Sequence, residues 1–411
     1  MRKLSLLFQH PEFLILIAGN VILGMGYALV LPFMSMFGTR ELGLGAAGFG
    51  IFMTVNAVAG IAISTRISAW SDTRFSRKAV MLVCSAWGVV GYVVYAYIRD
   101  VRILLPVSCI TMGIAGVTFS QTFAYARDLL ARRGVPMGDV PFYINIFRLF
   151  YALSWTIGPA LGARLLARYS FRATFLATAG LFAAFALLVA LGVRATPPTA
   201  QSRAAAAGLP LSRAFRLPGF LAHFCAFVLI LCCSSMSMMN LPLLILDTLH
   251  GNAAQVGNAY SIAPVFELPF MYYVGLLATR QPAVRIIRWA AVLAIAFYVG
   301  LAVAQEPWHV YPLQVLSAAL VAVNGGLAIT FFQDFMPGQA GAATNLYGTA
   351  ARIGSTGGYL LFGWLGSGLG YRSVFAVCAA FCAAAWLIMA KWRPGTDRPP
   401  APGSDPHPAP R

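Results

Sequence analysis

The chain has 411 residues, 59% of them hydrophobic and only 10% charged, with a mean hydropathy of +0.76. A water-soluble chain carries about 25% charged residues, so this one cannot cover itself with polar surface and reads as a protein that crosses a membrane many times. Its formal charge of +17 does not mark a nucleic-acid partner: most of the 29 Lys and Arg fall in alternate connections between apolar runs and at the two chain ends, which the positive-inside rule assigns to the cytoplasm.

A helix that spans a bilayer needs about 20 mostly apolar residues. Breaking the chain at charges, Pro and Gly yields such runs at 12–37, 47–71, 79–97, 102–126, 141–166, 171–192, 218–246, 255–279, 283–304, 308–334, 341–365 and 371–391. The strict alternation of a transmembrane barrel is missing. Arg2 and Lys3 precede the first run, but it is too long for a signal peptide and no A-x-A site follows it. The expected fold is an all-α polytopic membrane protein with twelve transmembrane helices in two pseudo-symmetric six-helix halves, 1–193 and 217–392. A basic cytoplasmic linker, 194–216, separates them, and a Pro-rich tail, 393–411, is expected to be disordered.

In chain order, the first span carries Asn20 and Tyr27, the second Asn56, the fourth Gln121, and the fifth Arg148, Tyr151 and Trp155. His223 starts the seventh span, which also holds Asn240. The eighth holds Glu267, the tenth Gln314, Asn324 and Phe331, and the eleventh Arg352. Ionisable groups inside spans are rare and face a cavity. Glu267 lies about twelve residues from either end of its span, which at ~1.5 Å per residue is roughly 18 Å and near the midplane. Three roles fit it: an acceptor for solute hydroxyls, the proton carrier of an antiport cycle, or a structural partner of Arg352 or another buried Arg. Pro264 and Pro269 flank it and are expected to open the helix there, so that freed carbonyls face the cavity.

Amides both donate and accept hydrogen bonds, charged groups make stronger ones, and aromatic faces cover the C–H face of a sugar ring. Asn20, Asn56, Gln121, Arg148, Trp155, Asn240, Glu267, Asn324 and Arg352 are therefore the candidate binding residues, with Glu267 also the candidate for proton coupling. Tyr151, Tyr27 and Phe331 are further aromatic candidates. Gln314 and Asn258 lie nearer span ends and read as structural, and His223, at the membrane surface, is a minor alternative for coupling. All seven Cys fall within spans as packing residues, and no metal-ligand pattern occurs. Acid-rich diphosphate motifs, H-E-x-x-H, G-x-S-x-G and the phosphate-cradling Gly-Lys loop are absent, which argues against an enzyme or an ATP-driven pump. No cofactor is implied; a proton gradient is the expected driving force.

The halves echo each other: "NIFRLFYALSWTIGP" from Asn145 and "NLYGTAARIGSTGGY" from Asn345 both run Asn-x-aromatic and carry Gly158 and Gly358 at the same offset. Between the second and third spans, "SAWSDTRFSRKAV" (68–80) resembles the loop signature of the major facilitator superfamily. Asp72, Arg74, Arg77 and Lys78 match it, whereas Ser68 and Ser76 replace its two glycines. The resemblance implies a charge latch in which Asp72 pairs with cations of a neighbouring helix. "SWTIGPALGA" (154–163) resembles the helix-5 motif of that superfamily's antiporters through Gly158, Pro159 and Gly162. The segments "TVNAVAGI", "QTFAYARD", "NLPLLILDTLH", "FELPFM" and, above all, "FFQDFMPGQAGAATNLY" (331–347) are similar to the bacterial sugar efflux transporters along nearly the whole chain. That likeness implies a monomeric inner-membrane exporter of small sugars, glycosides or their analogues. A multidrug/proton antiporter of the same fold is the alternative.

Overall fold

The structure is a computed structural model that describes residues 11–73, 75–136, 139–195, 215, 219–336 and 340–391. Arg74, nearly all of the linker and the tail 393–411 lie outside the described residues, as does the side chain of Asp72.

Twelve long helices make up the described chain: α1 (Pro11–Glu41), α2 (Ala46–Thr73), α3 (Arg77–Tyr97), α4 (Val101–Arg132), α5 (Val140–Arg168), α6 (Phe171–Gly192), α7 (Phe220–Thr248), α8 (Ala253–Ala278), α9 (Ala283–Val303), α10 (Pro307–Asp334), α11 (Ala340–Leu369) and α12 (Tyr371–Lys391). Each corresponds to one run expected from the sequence. Ten are long and apolar enough to cross a membrane on that basis alone. The two others, α5 and α11, are the longest unbroken helices at 29 and 30 residues and carry the internal arginines. Apolar side chains such as Leu191, Tyr272 and Trp289 stand 67–81% exposed on the outside, a surface that suits lipid and not water.

The breaks in these helices follow local chemistry. Short polar turns are closed by N-caps, with Ser76 accepting from Ala79 N (3.2 Å) and Asp100 from Arg102 N (2.9 Å). Ser76, which stands where the loop signature has glycine, thus starts α3. Both α1 and α7 end in a wide π turn, Phe37–Glu41 and Leu244–Thr248, and α10 is interrupted by a third, Val323–Leu327. By contrast, α8 runs unbroken through Pro264 and Pro269. The opening expected there does not occur: each proline removes one backbone bond, which a helix packed among others tolerates, and Pro269 faces outward.

Helices α1–α6 and α7–α12 pack chiefly within their own halves. The helix-5 motif has a packing role: a Cβ on Gly158 would lie 2.4 Å from Ala28 Cβ, and one on Gly162 would lie 2.5 Å from Leu29 O, so α1 rests directly on the α5 backbone. Gly358 seats α7 on α11 in the same way, against Cys232 O. The halves meet through α5 on α8 and α2 on α11. Close backbone approaches between the halves lie toward the face away from the start of α1, with Gly257 against the Pro159 carbonyl and Gly50 against Gly363, and the ion pair Arg40 Nη2–Asp247 Oδ1 at 3.0 Å joins them there.

On the opposite face, where α1 begins and α12 ends, the signature residues are tied within their own half. Arg77 Nε donates to Asp128 Oδ2 (2.7 Å) and its Nη1 to Gln121 Oε1 (3.1 Å), while Lys78 Nζ donates to the Ala190 carbonyl (2.8 Å). The described part of the signature therefore clamps α3 to α4 and α6. Nearby, buried Glu12 accepts from Tyr125 Oη (2.5 Å) and Arg194 N (3.0 Å), anchoring the start of the linker to α1 and α4.

Candidate functional site

A cavity of about 410 Å³ lies between the halves. Residues 148, 151, 152 and 155 of α5 line it, as do 260, 263, 264, 267 and 271 of α8. Both series have the spacing of one helix face. The wall from the first half is aromatic. Phe119 and Phe123 of α4 and Tyr151 and Trp155 of α5 line it, and ring contacts of 4.8 Å (Phe119–Tyr151), 4.7 Å (Phe119–Phe123) and 4.9 Å (Phe123–Phe147) brace it. The wall from the second half is mostly apolar, with Phe297, Tyr298 and Leu320 among its residues, but it carries polar groups in Ser234 and Ser237 of α7 and Gln314 and Ser317 of α10.

Arg148 and Glu267 bring the two charges. They belong to different halves, both line this cavity, and their charges interact across it without closing a direct ion pair. The Arg148 guanidinium reaches the wide turn of α10, where Nη2 lies 2.5 Å from the point a Cβ on Gly325 would occupy. A π turn also widens the helix and releases a carbonyl from the regular ladder. The Asn324 carbonyl accepts from Tyr347 Oη of α11 at 2.8 Å, so the turn that seats Arg148 is itself pinned.

The remaining candidate residues divide. Asn20, Gln121, Asn240 and Asn324 do not line this cavity. Asn20 donates to the Phe147 carbonyl (2.7 Å) and locks α1 to α5 one residue before Arg148. Gln121 is held by Arg77, and Asn240 donates to the Tyr371 carbonyl (2.8 Å). Tyr27 packs edge-on against Phe182, and Phe331 lies in a buried cluster with His223 and Phe227. His223 Nδ1 meets the Gly219 carbonyl at 2.8 Å.

Asn56 and Arg352 line a second cavity, of about 350 Å³, between α2, α4 and α11. Arg352 is therefore not the partner of Glu267; Arg148 takes that place. Asn56 donates to the Phe52 carbonyl and accepts from Ser108 Oγ, each at 2.9 Å. The two cavities are related. Met53, Asn56, Ala57, Gly60 and Ser64 line the smaller one, while Tyr260, Ala263, Pro264, Glu267 and Met271 line the larger, each 207 residues further on, the same interval that separates Arg40 from Asp247. In the first half the counterpart of Glu267 is Gly60. The sequence reading missed Gln314 and the lining serines. Ser234 and Ser237 stand three residues apart on α7 and Ser317 three residues after Gln314 on α10, which is a weak signal without knowing which face is open.

The family model of the Major Facilitator Superfamily matches residues 16–356 and 224–410. Sugar efflux transporter A of Dickeya chrysanthemi is 30% identical over 370 residues, covering 90% of this chain and 92% of that protein. A Deinococcus radiodurans protein is 33% identical over 386 residues, covering 92% of this chain and 97% of its own length. The chain belongs to the sugar efflux transporter family of the major facilitator superfamily. Such proteins are transporters and not enzymes. This major facilitator fold is also shared with a variant of the nucleoside transporter NupG (TM-score 0.79, 14% identity, 93% of this chain and 100% of that one). A second likeness is to a D-xylose-proton symporter (TM-score 0.71, 13% identity, 93% and 97%). At such identities the likeness is one of fold alone.

Proposed function

We propose that this protein is a monomeric secondary transporter of the bacterial inner membrane, with both termini cytoplasmic, that exports small sugars, glycosides or sugar analogues by alternating access in exchange for protons. The observation that carries this reading is the composition of the larger cavity: an apolar and aromatic lining set with a few polar groups, Ser234, Ser237, Gln314 and Ser317, and with Arg148 and Glu267 contributed by different halves, all at the junction of two six-helix halves. A pyranose matches such walls, with a C–H face for Trp155 or Tyr151 and a rim of hydroxyls for the charged and polar groups. The guanidinium donates to hydroxyl oxygens, and the carboxylate accepts from hydroxyl protons. A protonated Glu267 loses most of its accepting power, so solute and proton compete for one group, which is enough to couple their movements. The names of relatives support sugar as the cargo and export as the direction.

The test is flux of radiolabelled lactose and a thiogalactoside in proteoliposomes, with and without a pH gradient, for wild type and Glu267→Gln. Wild-type flux should respond to the gradient, and the variant should lose that response. Gradient-insensitive flux that only weakens in the variant would make Glu267 a solute ligand in a facilitator. Absence of sugar flux would move the reading to drug export.

A further inference from the structure

One polar group on the second-half wall has no hydrogen-bond partner inside the protein. Gln314 of α10 is only 3% exposed, it lines the larger cavity, and its Nε2 is enclosed without a hydrogen-bond partner. Among the described residues its side chain makes no hydrogen bond. An enclosed amide left unpaired is costly, and folded proteins keep few of them. Packing alone would be better served there by leucine. The terminal torsion of a Gln side chain is broad and roughly two-fold, so either its nitrogen or its oxygen can be turned toward the cavity. Ser317 lies three residues on, along the same side of the helix, and also lines the cavity.

Position along α10 gives the amide its meaning. Gln314 precedes Gly325, where the Arg148 guanidinium rests, by eleven residues, or about 16 Å of helix. The aromatic platform covers this interval from the facing wall: Trp155 lies seven residues beyond Arg148 on α5, about 10 Å away in the same direction. A single sugar ring held at the Arg148–Glu267 end leaves the amide unpaired. A solute of two linked rings, laid along Tyr151 and Trp155, reaches both ends.

We propose that Gln314 is a selectivity residue that hydrogen-bonds the second ring of a two-ring sugar whose first ring is held by Arg148 and Glu267. This rests on the sugar-transport reading above. The experiment is equilibrium binding of lactose and of galactose to the purified full-length protein, for wild type, Gln314→Leu and Gln314→Glu, together with thermal unfolding of each without sugar. Gln314→Leu should weaken lactose about tenfold, the worth of one buried hydrogen bond, and leave galactose within about twofold. The sugar-free Leu variant should melt no lower than wild type, because it removes an unpaired amide. Gln314→Glu keeps the shape, removes the donor, and serves as the variant of record if the Leu protein does not fold. Unchanged lactose affinity in the folded variant, or equal losses for both sugars, overturns the proposal. If wild type binds neither sugar, the sugar-cargo reading falls and the role of Gln314 falls with it.

Discussion

Replacing Gly325 by alanine would put a methyl carbon 2.5 Å from Arg148 Nη2, where ordinary contact begins at 3.4 Å. One of the two must move by about 1 Å, and the end of a long side chain moves far more easily than a pinned helix turn; binding groups need placing to within about 0.5 Å. The fold is expected to survive, because alanine is the better helix former by about 0.8–1.0 kcal/mol. A hydrogen bond to a charged group contributes about 1.5–3 kcal/mol, so complete loss of the Arg148 contact would weaken binding about 10- to 150-fold. The side chain keeps some freedom to readjust, which places the expected effect near the lower figure. Scintillation-proximity binding of a radiolabelled thiogalactoside to purified protein measures it, and a thermal melt checks folding. Gly326→Ala is the matched control, since a Cβ there meets nothing within 4 Å. Equal affinities for the two variants would refute the idea that Gly325 positions Arg148 for the solute.

Two further outcomes are expected. Arg40→Ala breaks the pair with Asp247 across the halves; both side chains are partly exposed, at 47% and 39%, so the loss is at most about 1 kcal/mol, a shift of about fivefold toward opening on that face. Spin-label distances across the face read the populations, and a shift that persists unchanged in high salt would argue against an electrostatic cause. Asn20→Ala, which removes the bond to the Phe147 carbonyl, should cost about 1 kcal/mol of stability and leave sugar affinity nearly intact. A large affinity loss at unchanged melting temperature would instead put Asn20 at the solute.

The helices were legible because hydropathy integrates over a whole span and does not depend on which neighbour a residue meets. Directions within the spans were not. An amide in an apolar run signals that a partner exists without naming it, and for Asn20 and Asn240 the partner is a neighbouring backbone carbonyl. Arg148 and Arg352 look alike in sequence, yet α5 faces α8 whereas α11 faces α2, so only Arg148 meets an acid. Gln314 was read as structural because it stands near the start of its span, but the cavity extends that far along α10. The wide turns depend on tertiary packing and leave no pattern in composition.

Arg148 rides on one half of the molecule and Glu267 on the other. In the alternating-access cycle proposed above, rocking the halves as rigid bodies would change the gap between a fixed positive and a fixed negative charge, and the motion would perform electrical work. At an effective dielectric of about 20, widening a unit pair from ~6 to ~9 Å costs about 1 kcal/mol. The cavity behaves as a small capacitor whose plates are the two halves. In the proton exchange proposed above, a proton arriving on the carboxylate would discharge it, and the same displacement would then proceed without that electrostatic cost.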